Sequence, residues 1–302
     1  MVGDARADDA AIDAGTAVIA ALGAAGARMR GLEASARADE PDAVHQLRTH
    51  VRRVRSLLAA YAPVFDAAPA LALRRRFGEF GTELGVVRDI EVRMQVAERA
   101  LEEASDRGLI DDEAHLRLVR SRLVDAERLE YRLAHAWWLE RQALPRAAAR
   151  RDAFDAAPPL APAAADPASD VLAACIEREA RRTVRRARRV EGADTESLHA
   201  VRKAGRRLRY AAEAVSTEPV ALFDGRVRAF AEIGDDLHDV LGDHRDEVLF
   251  ADHVRRAGAH VAHEGGASLV FDRLAEAAEE RAAGHLRRLP AVIAELRALV
   301  ED

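Results

Sequence analysis

A basic helical phrase occurs twice in this chain, and no other feature restricts its fold so strongly. Val44-His45-Gln46-Leu47-Arg48-Thr49-His50-Val51-Arg52-Arg53-Val54-Arg55 returns as Leu198-His199-Ala200-Val201-Arg202-Lys203-Ala204-Gly205-Arg206-Arg207-Leu208-Arg209, 154 residues on. The shared skeleton is H-x-x-R-x-x-x-R-R-x-R, with apolar residues at matching positions. Arg abundance alone does not produce that match, because the His and the apolar positions align as well. A second pair, Leu84-Gly85-Val86-Val87-Arg88-Asp89 and Leu241-Gly242-Asp243-His244-Arg245-Asp246, shares L-G-x-x-R-D at an offset of 157 residues. Two matches in the same order at nearly the same spacing mark a unit repeated in tandem.

At about 100° per residue, Arg48, Arg52 and Arg55 fall within roughly 80° of arc beside His45 and form one stripe. Val44, Leu47, Val51, Val54 and Leu58 fill the adjacent arc at the i, i+3, i+4, i+7 spacing of a helix packed on a core. Arg53 points away from both. The second copy repeats the wheel, with His199, Arg202, Arg206 and Arg209 in the stripe and Leu198, Val201, Leu208 and Ala212 inward. Gly205 stands where the first copy has Val51, which predicts a close approach of two backbones there.

The rest of the chain is consistent with an all-α fold. Hydrophobic residues make up 49% of the 302 positions but aromatics only 4%, so the expected core is built from thin, Ala-rich helices in close contact. No window sustains β-branched alternation. The single Cys175 excludes an internal disulfide or cysteine-based zinc knuckle and is expected to be a small buried residue. With no basic segment before an apolar signal core and no run of 18 apolar residues, the sequence predicts a soluble cytoplasmic protein without membrane association. Its formal net charge of −6 is unlike that of a domain that coats nucleic acid, so the positive charge must be local. Lys203 is the only lysine.

Punctuation predicts helices over about 8–36, from Pro41 to about Ala62, over about 68–84 and 88–107 with a turn at Leu84-Gly85, and a pair through about Arg151 capped by Asp111 or Asp112. The Pro/Ala-rich stretch Asp155–Ser169 reads as a linker. A helix over about 169–190 carries the run from Arg181 to Arg189, Asp194 caps the second phrase, and Pro219, Gly242, Gly258, Gly265-Gly266 and Pro290 mark later breaks. The expected division is therefore a first helical repeat over 1–154, a linker over 155–169 and a second repeat over 170–302.

The two H-x-x-R-x-x-x-R-R-x-R helices with their L-G-x-x-R-D partners resemble the CHAD family, the conserved histidine α-helical domain, over roughly 8–302. The resemblance implies two four-helix bundles related by a pseudo-twofold axis, with basic helices facing a shared central groove. It also implies binding of inorganic polyphosphate and association with polyphosphate granules, without a cofactor. The ligand-facing set it implies is His45, Arg48, Arg52, Arg53, Arg55 and Arg88 from the first repeat. His199, Arg202, Lys203, Arg206, Arg207, Arg209 and Arg245 are the set from the second. Relatives that join this module to a triphosphate tunnel domain carry E-x-E-x-K. That motif does not occur in this sequence, and the expectation is binding without catalysis.

Planar guanidinium groups suit phosphate oxygens, and two opposed Arg stripes would make a trough for a thin polyanion. His45 and His199, near helix starts, fit either structural hydrogen bonding or phosphate contact; metal ligation is not expected at either. The bland alternative for each stripe is a solvated face or Arg–Glu pairing. Two other functions compete. A metal-dependent phosphohydrolase lacks H-E-x-x-H and paired carboxylates near the stripe, and His260-Val261-Ala262-His263-Glu264 falls in an expected loop. A nucleic-acid binder lacks a stacking platform, since Tyr210 is the only aromatic adjoining the phrases. Of Trp137 and Trp138, about 100° apart on a helix, at most one can be central to a core. The sequence leaves the oligomeric state open.

Overall fold

The computed structural model describes residues 12–108, 110, 113–141, 143–188, 190 and 194–301. The helix start near residue 8, the caps at Asp111 or Asp112, and Arg189 lie outside the described residues. All regular elements described are helical, apart from two isolated β-bridges. In chain order they are α1 (Ala14–Arg37), α2 (Ala43–Ala60), α3 (Ala67–Asp106), α4 (Glu113–Arg120), α5 (Ala126–Leu139), α6 (Ala143–Ala156), α7 (Ala168–Ala187), α8 (Thr195–Ser216), α9 (Arg226–His263), α10 (Leu269–Leu286) and α11 (Leu289–Glu301).

The order of elements repeats. Helices of 24, 18 and 40 residues, α1 to α3, are echoed by helices of 20, 22 and 38 residues, α7 to α9. Both L-G-x-x-R-D segments lie inside the long helices rather than at turns, which corrects the expected breaks at Leu84-Gly85, Gly242 and Gly258. One Gly costs a helix interior about 1 kcal/mol. Burial of Leu84, Val87 and Ile90 along one face outweighs that, at about 1.5–3 kcal/mol for a large apolar side chain. The segment His260–His263 is likewise helical rather than loop.

The chain forms two compact units that do not coincide with its sequence halves. The first comprises the described residues of Met1–Leu84, Arg141–Asp239 and Pro290–Asp302, and the second Gly85–Glu140 and Val240–Leu289.

In the first unit α1 packs on α2, α7 on α8, α2 on α8 and α1 on α7, so each repeat supplies one helix pair to a four-helix arrangement. Small residues make the contacts thin: α1 buries Ala14, Gly15, Ala17, Ala21, Ala25 and Gly26 beside Val18, Leu22 and Met29. The inward faces of the phrases behave as their periodicity predicts, with Leu47, Val51, Val54 and Leu58 buried on α2 and Leu198, Val201 and Leu208 on α8. Gly205 makes the predicted close approach. A methyl carbon placed on it would lie 2.9 Å from Leu237 Cβ, and one on Gly234 would lie 2.8 Å from the Gly205 carbonyl oxygen.

Buried hydrogen bonds tie the pairs together. Tyr61 donates its hydroxyl to the Ala211 carbonyl at 2.6 Å, and Arg178 donates to that of Ala60 at 2.5 Å. The Pro/Ala-rich stretch is anchored rather than free. Its backbone bonds include Asp66 N–H to Pro159 at 2.9 Å and Ala161 N–H to Val64 at 3.0 Å, with Ala14 N–H to Asp166 at 3.0 Å.

The second unit has its own core, including Leu101 of α3, Val119 of α4, Phe250 and Val254 of α9 and Phe271 of α10. A π-helical turn, Ser121–Asp125, joins α4 to α5. Its smaller rotation per residue lets consecutive Leu123 and Val124 both reach the core. Trp138 is buried and Trp137 is 40% exposed, the division expected of adjacent helical residues. Among the described residues no helix is long and apolar enough to cross a membrane.

Candidate functional site

The two phrase helices start differently. Asp194 caps α8 as expected, accepting the Ser197 N–H at 2.8 Å. In α2 the N-cap is Asp42; it is held at φ 61° and its carboxylate accepts Gln46 Nε2 at 2.7 Å. His45 is therefore the third residue of α2, whereas His199 is the fifth of α8, beyond the first turn of free N–H groups. His45 is partly buried and His199 exposed.

Within the first unit the helices enclose a cleft of about 360 Å³. Its cationic lining is Arg52 and Arg55 of α2, Arg74 of α3, Arg182 and Arg186 of α7, and Lys203, Arg206 and Arg207 of α8, and the remaining lining residues are Ser56, Ala59, Ala200 and Ala204. None is a carboxylate and none is aromatic. Five of the expected ligand-facing residues, Arg52, Arg55, Lys203, Arg206 and Arg207, thus come together from both repeats. Arg74, Arg182 and Arg186 were outside that set. Their signal was the one-turn spacing of Arg182 and Arg186, which puts both on one face of α7.

Burial among like charges dominates the electrostatics. Desolvation, then the guanidinium groups of Arg52 and Arg202, and more weakly Arg48, push Arg206 down to about 9, well below the ordinary guanidinium range. It remains cationic at neutral pH, in a setting that an added anion would relieve. Arg48 and Arg202, though not lining the cleft, contribute to this field. Burial and Arg74 lower Arg55 as well. Arg207 is lowered chiefly by burial, against the pull of Glu179, whose carboxylate lies 2.7 Å from its Nε.

Arg53 and Arg209 are engaged elsewhere. Arg53 Nη2 donates to Glu213 at 2.6 Å, Arg209 Nε donates to the same carboxylate at 2.6 Å, and Arg209 also pairs with Asp235. Both guanidinium groups lie over the Tyr210 ring, at 5.0 and 5.7 Å from its centroid. Arg88 and Arg245 belong to the second unit and do not line the cleft. Arg88 pairs with Glu91 at 2.9 Å.

The sequence reading missed His238 of α9. Desolvation first, then Arg202, Arg206, Arg52 and Arg209, hold its imidazole far below its usual pKa, so it is neutral beside the stripe. Asp235, His238 and Asp239 bring one potential metal-ligand atom each within 4.8 Å of one another. Asp235 is already paired with Arg209, and the cations that keep a proton off His238 would equally oppose a metal ion. Cys175 is buried, and burial raises its thiol pKa.

A CHAD domain family model matches residues 20–255. Two Mycobacterium tuberculosis proteins, uncharacterized protein MT2285 of strain CDC 1551 / Oshkosh and uncharacterized protein Rv2226 of strain ATCC 25618 / H37Rv, are each 30% identical over 278 residues. The match covers 86% of this chain and 50% of each relative, so the chain spans about half the length of these curated relatives. Among solved structures, the CHAD domain from the plant Ricinus communis superposes with a TM-score of 0.66 at 23% identity, covering 100% of this chain and 96% of that one. PptA from Streptomyces chartreusis gives a TM-score of 0.70 at 17% identity, covering 95% of this chain and 99% of its own. These two likenesses concern the fold, whereas the family model and the 30% identity over most of the sequence carry the assignment: the chain belongs to the CHAD domain family.

Proposed function

We propose that this protein binds inorganic polyphosphate without turning it over. The observation that carries the reading is the cleft lined, among the described residues, by eight cationic side chains from both repeats and by no carboxylate. Membership of the CHAD domain family supports it. Guanidinium groups present paired N–H donors to phosphate oxygens, and an anion entering the cleft relieves their crowding. A linear polyphosphate supplies about one negative charge per unit on a thin backbone and can satisfy several cations at once. The described lining residues include no aromatic ring on which a base could stack, which disfavours nucleic acid. Recruitment to polyphosphate-rich granules in the cytoplasm is the corresponding cellular role.

Titration calorimetry with polyphosphates of defined length, alongside orthophosphate, triphosphate, phytate and RNA at equal phosphate concentration, tests this. Long chains should bind most tightly, and raising salt from about 50 to 200 mM should weaken them by orders of magnitude through counterion uptake. Arg48→Ala/Arg52→Ala and Arg202→Ala/Arg206→Ala should each damage the same single class of sites, because each pair acts on one cleft. Salt-insensitive binding, preference for RNA, or steady phosphate release with added divalent metals would overturn the proposal.

A further inference from the structure

The two repeats have diverged around one pair of equivalent arginines. Arg55 and Arg209 close their phrases at the same position, but their surroundings are opposite in charge. At the phrase offset of 154 residues, Ala59 corresponds to Glu213 and Ser56 to Tyr210; at the offset of 157 residues in the long helices, Gly78 corresponds to Asp235 and Gly81 to His238. In the first repeat the Arg55 guanidinium lies along the two glycines of α3. A methyl carbon on Gly78 would sit 3.5 Å from Nη2 and one on Gly81 3.6 Å from Nη1, so the helix surface is just low enough to admit it. From there Arg55 lines the cleft with Arg74, Arg182 and Arg186. In the second repeat Glu213 and Asp235 occupy the corresponding places and clamp Arg209, and Glu213 takes Arg53 as well.

Resting on the polyanion-binding reading above, we infer that the binding site is one-sided: the Arg55 side receives phosphate, while Glu213 and Asp235 stand in for phosphate on the other side and withhold Arg53 and Arg209 from the ligand. A carboxylate accepting two guanidinium groups makes the charge-assisted hydrogen bonds that a phosphate would otherwise make. Arg209 is near enough to the stripe to act, with Arg52, Arg202 and Arg206, on His238, so its neutralisation is felt at the cleft. The polyanion therefore meets a charge gradient along the groove, and its most highly charged part, the chain terminus, is drawn toward Arg55, Arg74, Arg182 and Arg186.

The test is to rewrite the second repeat in the image of the first. Glu213→Ala/Asp235→Gly should release two guanidinium groups, tighten binding of long polyphosphate at least several-fold, and steepen the dependence of log K on log salt by about 0.7 for each. Glu213→Gln/Asp235→Asn removes the charges while keeping shape and should act in the same direction if the first variant folds poorly. Arg55→Gln should weaken binding tenfold or more, whereas Arg209→Gln, which removes charge from the field but no phosphate contact, should weaken it only a few-fold. Equal losses in Arg55→Gln and Arg209→Gln, or an unchanged affinity and salt slope in both carboxylate variants, would overturn one-sidedness while leaving polyphosphate binding intact. Failure of the unaltered protein to bind polyphosphate would remove both readings.

Discussion

Replacing Arg206 by Met should make the free protein more stable and the bound protein less so. The folded structure depresses this guanidinium far below its ordinary value, to about 9, so the penalty for keeping it charged is fully present at every pH below about 9 and fades only as pH rises above that. At about 1.4 kcal/mol per pKa unit, the shift corresponds to a penalty on the order of 5 kcal/mol; relaxation and water entry at a half-open cleft reduce the recoverable part to about 2 kcal/mol. Met retains the packing of the aliphatic stem. Arg206→Met should therefore raise the thermal midpoint in the absence of ligand by a few degrees, at about 2–4 °C per kcal/mol for a domain of this size. Added salt near 1 M, which shortens the screening length to about 3 Å, should stabilise the parent protein more than the variant. Polyphosphate should reverse the order. It stabilises the folded state in proportion to the logarithm of its concentration over Kd. Loss of one charge-assisted contact, worth about 1.5–3 kcal/mol, weakens binding roughly ten- to a hundredfold. Differential scanning fluorimetry with and without long-chain polyphosphate measures both effects. A variant that melts lower without ligand and retains the full ligand-induced shift would refute the electrostatic reasoning.

Acidification should destabilise the fold from about pH 6.5 downward, because His238 and His253 are both held below their ordinary pKa of 6.5, chiefly by burial, with His253 at about 4. The unfolded chain binds more protons below 6.5, so the stability these groups contribute is full above that pH and is lost as pH falls; at pH 5 the loss is about 2 kcal/mol for each. Urea denaturation across this range should show a flatter profile in His238→Gln and His253→Gln. Polyphosphate should offset only the His238 part, since His253 lies in the second unit beside Glu127 and Arg93. Gly234→Ala should lower stability by about 1–3 kcal/mol, because its new methyl would sit 2.7 Å from the Arg209 backbone nitrogen. Gly23→Ala and Gly31→Ala, with nothing within 4 Å, should instead raise stability by about 0.5–1 kcal/mol each, as read from thermal melts.

The helices were legible wherever local chemistry decided them. The apolar arcs of the two phrases, the Asp194 cap, the division between Trp137 and Trp138 and the close approach at Gly205 all follow from periodicity or from the space a side chain needs. Boundaries set by distant neighbours were not legible. Gly85, Gly242 and Gly258 look like punctuation, yet α3 and α9 run through them, because the flanking apolar residues bury on a continuous face whose existence depends on partners elsewhere in the chain. The Pro/Ala-rich stretch has the composition of a tether, yet backbone groups of Ile12, Ala14, Val64 and Asp66, remote in sequence, help to hold it in place.

The candidate site divides along the same line. A helical wheel is sufficient to gather Arg48, Arg52, Arg202 and Arg206, and it already sets Arg53 apart. It cannot tell a cleft-lining arginine from one held by carboxylates. The i, i+4 spacing of Arg209 and Glu213 was the one local sign that this arginine has an internal partner. The contribution of Asp235 from α9 and the admission of Arg55 by Gly78 and Gly81 depend on helix contacts that no spacing reveals. Alignment of the repeats recovers part of this information once the contacts are known. The aligned repeats keep both arginines, but the first has Ala59 and Gly78 where the second has Glu213 and Asp235; these positions lie outside the apolar faces that pack the helices, so the two repeats share their helices while differing in charge around the arginines. Packing and local charge are therefore set at different positions of the same helices.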